Sequence, residues 1–232
     1  MESTFRDSAP LSATKCLPKL QAVSVPAVYS HHPSVLSPLK RLVDVLGGLV
    51  GLAIVAVAIV PIAIAIQLDN PGPVFYSQMR CGLYGQQFRI WKFRSMVSKA
   101  DRLQHLVSNE ANGHIFKNKQ DPRITQVGNF LRQTSLDELP QFWNVLRGEM
   151  SLVGTRPPTL NEVNEYSPHH FQRLNVRPGI TGEWQANGRS SVVNFEEIVE
   201  MDLAYQSRWS IVYDLKLIAK TILVVLSRSG AC

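Results

Sequence analysis

The sequence predicts an α+β chain: a compact, mostly helical body with a small sheet, an apolar membrane helix before it and an amphipathic helix at its C-terminal end. Three observations predict this. Residues 45–66 form 22 consecutive positions without a charge. Short β-rich runs alternate with longer helical patterns between residues 67 and 205. Residues 206–227 repeat apolar side chains at helical spacing. With 232 residues, 45% of them hydrophobic and 18% charged, the chain can build one core and is not wholly disordered.

Residues 1–38 hold five of the 14 prolines and nine Ser/Thr, with no sustained apolar period. They read as a disordered tail, and no basic n-region leads into an apolar h-region, so they are not a secretory signal. Residues 39–70 read as a membrane-inserted helix. A buried soluble helix normally carries a polar stripe, and this one shows none between Val45 and Ile66. Pro61 lacks an N–H and clashes with the carbonyl of Val57, which predicts a kink or break there. Lys40 and Arg41 precede the segment, so a simple span would keep its N-terminal flank in the cytoplasm and put the body outside. Cys16, Cys81 and Cys232 are odd in number and far apart, which favours a reducing compartment for the body. A re-entrant helix, turned at Pro61, removes the conflict; a kinked full span is the alternative.

Residues 71–228 form the body. Asn70-Pro71-Gly72-Pro73 is turn chemistry. Val74–Tyr76 and Phe88–Phe93 read as strands around the turn at Gly82–Gly85. Residues 97–110, 135–148 and 195–208 read as helices. In 206–227, Ile211, Leu215, Ile218, Ile222 and Val225 share a face, as expected either of a helix lying in the membrane interface or of a core helix.

Net charge is +6, and residues 67–232 carry 19 Lys/Arg against 15 Asp/Glu. That mild excess fits small anions or a lipid surface better than nucleic acid, and no run of clustered basic residues is present. No Walker or dinucleotide fingerprint occurs. The densest chemical signal lies in residues 121–158. Asp137 and Glu138 are adjacent acids, flanked by Arg123, Arg132, Arg147 and Arg156, with Lys92 and Arg94 from an earlier stretch. Guanidinium groups grip phosphate bidentately. A carboxylate among cations stays ionised and serves as nucleophile or metal ligand. Acid plus several cations is what phosphoryl transfer needs. The competing reading is a capping box, Ser135 to Glu138, although Pro140 fits it poorly. Arg177–Gly182 followed by Trp184-Gln185 reads either as a turn or as a lining for a sugar or lipid pocket.

Together these stretches resemble one family. They are Lys40-Arg41-Leu42-Val43-Asp44, Pro71-Gly72-Pro73-Val74-Phe75-Tyr76, Lys92-Phe93-Arg94-Ser95-Met96 and Asp121-Pro122-Arg123-Ile124-Thr125. They continue with Thr134-Ser135-Leu136-Asp137-Glu138-Leu139-Pro140-Gln141, Met150–Gly154, Arg156-Pro157 and Arg177–Gly182. The chain resembles the bacterial sugar transferases, monotopic polyprenyl-phosphate phosphoglycosyl transferases, over about residues 39–228. It is most similar to the undecaprenyl-phosphate galactose or glucose phosphotransferases that begin exopolysaccharide synthesis.

The resemblance implies transfer of a sugar-1-phosphate from a UDP-sugar to undecaprenyl phosphate, with release of UMP. It implies Asp137 as covalent nucleophile, Glu138 as its partner and Mg2+ held at Asp137. Lys92, Arg94, Arg123, Arg132, Arg156 and Pro157 match substrate- or phosphate-binding positions. A re-entrant helix is implied too, with the catalytic domain on the cytoplasmic face of the bacterial inner membrane. The expected partners are membrane lipids and no nucleic acid; a homo-oligomer or downstream glycosyltransferases would be compatible. One departure is visible: the family usually has Gly-Pro-Arg-Pro where this chain has Gly154-Thr155-Arg156-Pro157. A catalytically silent scaffold of a polysaccharide assembly complex is the alternative function.

Overall fold

A computed structural model describes residues 31–116, 118, 120–187 and 192–227. Most of the predicted tail, residues 1–30, therefore lies outside the described residues. Its last residues are helical. α1 (Pro33–Leu36) and α2 (Pro38–Asp69) each begin with proline at the first helical position, where no N–H is required. Ser37 caps α2 by accepting from Lys40 N.

α2 is 32 residues long, a rise of about 48 Å at 1.5 Å per residue. Pro61 lies inside the helix rather than ending it. One side of α2 faces the protein along its length. Lys40, Asp44, Gly48, Gly51, Ile62 and Ile66 are buried, and Val55, Ala58 and Ile59 pack onto the same side between them. These steps of three and four residues trace one helical face. The glycines matter here, since a Cβ on Gly51 would stand 2.2 Å from the Phe142 ring. Leu42, Leu46, Leu49, Val50, Val57, Val60, Ile64 and Leu68 point outward.

β1 (Phe75–Cys81) and β2 (Gln87–Phe93) form an antiparallel hairpin, registered from Phe75 opposite Phe93 to Cys81 opposite Gln87. Next come α3 (Gln126–Gln133), a 3-10 turn over Leu136–Gln141, and α4 (Phe142–Arg147). β3 (Ser151–Val153) is followed by α5 (Leu160–Asn164), α6 (Pro168–Phe171) and β4 (Gly179–Thr181), which pairs parallel with β3. α7 (Glu183–Asn187), α8 (Phe195–Arg208) and α9 (Ile211–Leu226) complete the body. The small sheet expected from the sequence is thus two separate two-stranded pairs.

Two helices differ from expectation for identifiable reasons. The segment 97–110 forms only a 3-10 turn over Ala100–Leu106, in which Ala100 alone is buried, so little apolar contact exists to hold a longer helix. The predicted helix 135–148 divides at Pro140. Ser135 takes φ +56°, makes no side-chain cap, and leads into the 3-10 turn, so the capping box does not form. α4 then ends on Gly148 at φ +79°, the left-handed conformation that glycine adopts without strain.

α9 sits on the body through Asp214 and Leu217, with Val212, Leu215, Ile222 and Leu223 turned outward. The first turn of α3 lies directly on the backbone at Ser95. A Cβ on Gly128 would meet Ser95 O at 1.9 Å. Gly128→Ala is therefore expected to cost at least about 2 kcal/mol, since backbone cannot yield as a side chain can. An unchanged melting temperature in detergent would contradict that close approach.

Candidate active site

The hairpin presents the site. Directly opposed residues of an antiparallel pair point to the same side, so Tyr76 with Lys92, Gln78 with Ile90 and Arg80 with Phe88 share a face. Lys92 reaches from this face to both acids. Its Nζ lies 2.7 Å from Glu138 Oε1 and 3.9 Å from Asp137 Oδ2. The 3-10 turn places the acids there, fixed by buried Pro140 and Gln141. Asp137 is only 7% exposed, while Glu138 is more open. Two adjacent carboxylates, with no group of three or more His, Cys, Asp or Glu among the described residues, cannot cage a cation alone. They suit an ion that takes its other ligands from substrate phosphates and water, as magnesium does.

The remaining basic positions divide by partner. Arg94 donates to Asn70 at the end of α2 and to Ser98 through Nη1, and its buried Nε has no hydrogen-bond partner among the described residues. Arg123 donates to Asp121 through Nε at 2.8 Å and Nη2 at 2.6 Å, both residues being buried. Those hydrogen bonds hold the Asp121 carboxyl below the usual carboxylate range. Arg132, half-buried in the last turn of α3, contributes its positive charge to Asp121. Arg156 grips Glu162 at 2.9 and 3.3 Å, and its guanidinium lies 6.0 Å from the Trp184 ring. Burial alone would raise the Glu162 pKa, but Arg156, then Arg80 and Arg173, overcome it and hold the carboxyl low.

A carboxyl depressed in the fold stabilises it above the unfolded value, near pH ~4.3, and stops doing so as pH falls through the folded one. Glu162→Gln should therefore lower the melting temperature near neutral pH, and the gap from wild type should narrow in acid. A gap independent of pH would remove charge as its source.

The model of the bacterial sugar transferase family matches residues 35–228. The chain belongs to the bacterial sugar transferase family. Among its relatives, a galactosyl transferase of Streptococcus agalactiae is 47% identical over 83% of this chain and 43% of its own length. A UDP-galactose-lipid carrier transferase of Erwinia amylovora is 41% identical, covering 83% and 41%. An exopolysaccharide production protein of Sinorhizobium fredii is 38% identical, covering 83% and 87%. The chain thus spans about two-fifths of the first two relatives and most of the third.

Within this family member, the departure at Thr155 has a local explanation. The buried hydroxyl donates to Arg173 O at 3.1 Å, and the Thr155 carbonyl accepts from Gly179 N. The loop is thereby joined to Arg177–Gly182, so two motifs far apart in sequence form one unit. Pro157 is buried and gives its carbonyl to Arg80. Arg80 and Glu162 were not singled out by sequence reasoning. Arg80 was within reach, since strand alternation from Tyr76 puts it on the Lys92 face. Glu162 was not, because its role appears only once the loop closes on α5.

Proposed function

We propose that the chain transfers a sugar-1-phosphate, galactose or glucose, from a UDP-sugar to undecaprenyl phosphate and releases UMP. This is the membrane step that opens bacterial exopolysaccharide synthesis. The observation that carries the reading is the buried Asp137 carboxylate beside Glu138, both addressed by Lys92, on a body that follows an apolar helix along its length.

In the first step an Asp137 oxygen attacks the sugar-bearing phosphorus, and the bond from that phosphorus to the oxygen of UMP breaks. The departing UMP takes the electron pair, leaving a phosphosugar esterified to Asp137. In the second step an oxygen of the lipid phosphate attacks the same phosphorus and frees the carboxylate. Lys92, hydrogen-bonded to Glu138, fixes that acid beside Asp137 and lends positive charge to the nucleophile. Arg132 and Arg156 are the basic groups assigned to phosphate; Arg94 and Arg123 support the frame. Asp137 and Glu138 would hold a magnesium ion, which would supply charge neutralisation on the diphosphate.

The same geometry supports a placement in the membrane. Lys40 and Asp44 near one end of α2, and Asp69 at the other, bond the same body: Lys40 to Asp214, Asp44 to Ser151, Asp69 to Val127 N. A helix held at both ends favours one-sided insertion, with residues 39–70 dipping into the bilayer and the body of residues 71–228 on its cytoplasmic face. The outward side chains of α9 would join it at the lipid surface. Labelling of a tail cysteine from the opposite side of sealed vesicles would overturn this placement. The reaction is tested by UMP release from a panel of UDP-sugars by purified protein, with and without undecaprenyl phosphate. No release with any donor would overturn the proposal.

A further inference from the structure

We infer that Arg80 is a donor-binding residue, which takes an oxygen of the nucleotide diphosphate alongside Arg156. The inference rests on the proposed transfer reaction and adds to it a contact that neither the motifs nor the relatives assign.

Arg80 and Arg156 both neighbour Glu162, and Glu162 is engaged by two nitrogens of Arg156. The next acid toward the dyad, Glu138, is bonded to Lys92. Behind the pair, Arg173 and Asp202 are closed on each other at 2.6 Å. Glu162 is thus taken up by Arg156, and no carboxylate hydrogen-bonds Arg80 among the described residues. That guanidinium spends Nη1 on the carbonyl of Pro157 at 2.9 Å. Its Nε is buried and has no hydrogen-bond partner among the described residues.

A buried cationic donor without an acceptor is costly unless a ligand completes it. Burial, and after it the neighbouring Arg156, bring the Arg80 pKa down to about 10, a cation short of compensating charge. A phosphate oxygen relieves both conditions at once. The strand register sets Arg80 on the Lys92 face, so a diphosphate reaching from Arg156 toward Asp137 passes it.

The experiment is calorimetric binding of UDP and of uridine to the full chain in nanodiscs, for wild type, Arg80→Lys and Arg80→Gln. Lysine retains a donor for the Pro157 carbonyl but has no Nε. UDP affinity is expected to fall about 10-fold or more in both variants, as for loss of a charge-assisted hydrogen bond. Uridine affinity should stay at the wild-type value. Steady-state kinetics should show a raised KM for the UDP-sugar and an unchanged KM for undecaprenyl phosphate.

Unchanged UDP binding in both variants overturns the inference. Equal losses for UDP and uridine overturn it too, because they would mean that Arg80 only holds the loop. The ratio of the two affinities remains readable in a variant of lowered stability. Wild-type protein that binds no UDP and releases no UMP would instead sink the proposed function.

Discussion

Asp137→Asn is expected to lower transfer by at least ~10³-fold while leaving the fold intact. Asparagine matches aspartate in shape, so the 3-10 turn and its packing are kept. Lys92 keeps its 2.7 Å bond to Glu138, so no buried cation is orphaned by the change. On the proposed mechanism, what disappears is the nucleophile, because a neutral amide oxygen does not attack the phosphorus of a diphosphate. The variant separates chemistry from binding when two readouts are paired. Incubated with UDP-sugar and no lipid acceptor, the wild type should gain the mass of one phosphosugar, and the variant should gain none. UMP release should fall in parallel.

Glu138→Gln gives the contrast. It removes the negative charge opposite Lys92 while keeping an amide oxygen that can accept from it, so turnover should fall without vanishing. Near-normal turnover in Asp137→Asn would remove the covalent assignment. So would kinetics requiring both substrates to bind before UMP leaves.

The parts legible in the sequence were those whose signal is local. The uncharged run before Asp69, the hairpin about Gly82–Gly85 and the acid pair each carry their own pattern within a few residues. Pro140 was visible too, but not that it would hand the first turn to a 3-10 geometry with Ser135 at positive φ. The basic residues were the hardest to sort. A sequence shows where a guanidinium is, not whether the fold spends it. Arg123 is spent on Asp121, two residues away, and that could have been suspected. Arg94 is spent on Asn70, and Arg173 on Asp202, 29 residues away. Strand alternation could place Arg80 on the Lys92 face, but only the fold shows that its hydrogen bond goes to the Pro157 carbonyl and to no carboxylate.

The same pairing logic gives the largest stability effect, at the N-terminal end of α2. Asp214→Ala is expected to destabilise the protein by about 3–5 kcal/mol, the loss typical of breaking one side of a buried pair. Asp214 Oδ2 lies 2.6 Å from Lys40 Nζ, and both side chains are less than a tenth exposed. Its oxygens also accept from Tyr205 at 2.9 Å and Trp209 at 3.2 Å. Removing the carboxylate leaves Lys40 bonded to the Val153 carbonyl and strands the Trp209 indole N–H, while Tyr205 can turn its hydroxyl to Val153 O. Exchange of both charges, as in Lys40→Met with Asp214→Leu, should recover much of the loss, because the desolvation cost goes with them.

The consequence reaches the site along the chain. Val153 leads through Gly154 into Thr155 and Arg156, and Asp44 holds Ser151 and Leu152 N from the next turn of α2. Loosening this corner should therefore weaken donor binding together with stability. Denaturation in nanodiscs and the KM for the UDP-sugar test the two halves. A stable Asp214→Ala with normal KM would show that the apolar contacts of α2, rather than its buried charges, hold the helix to the body.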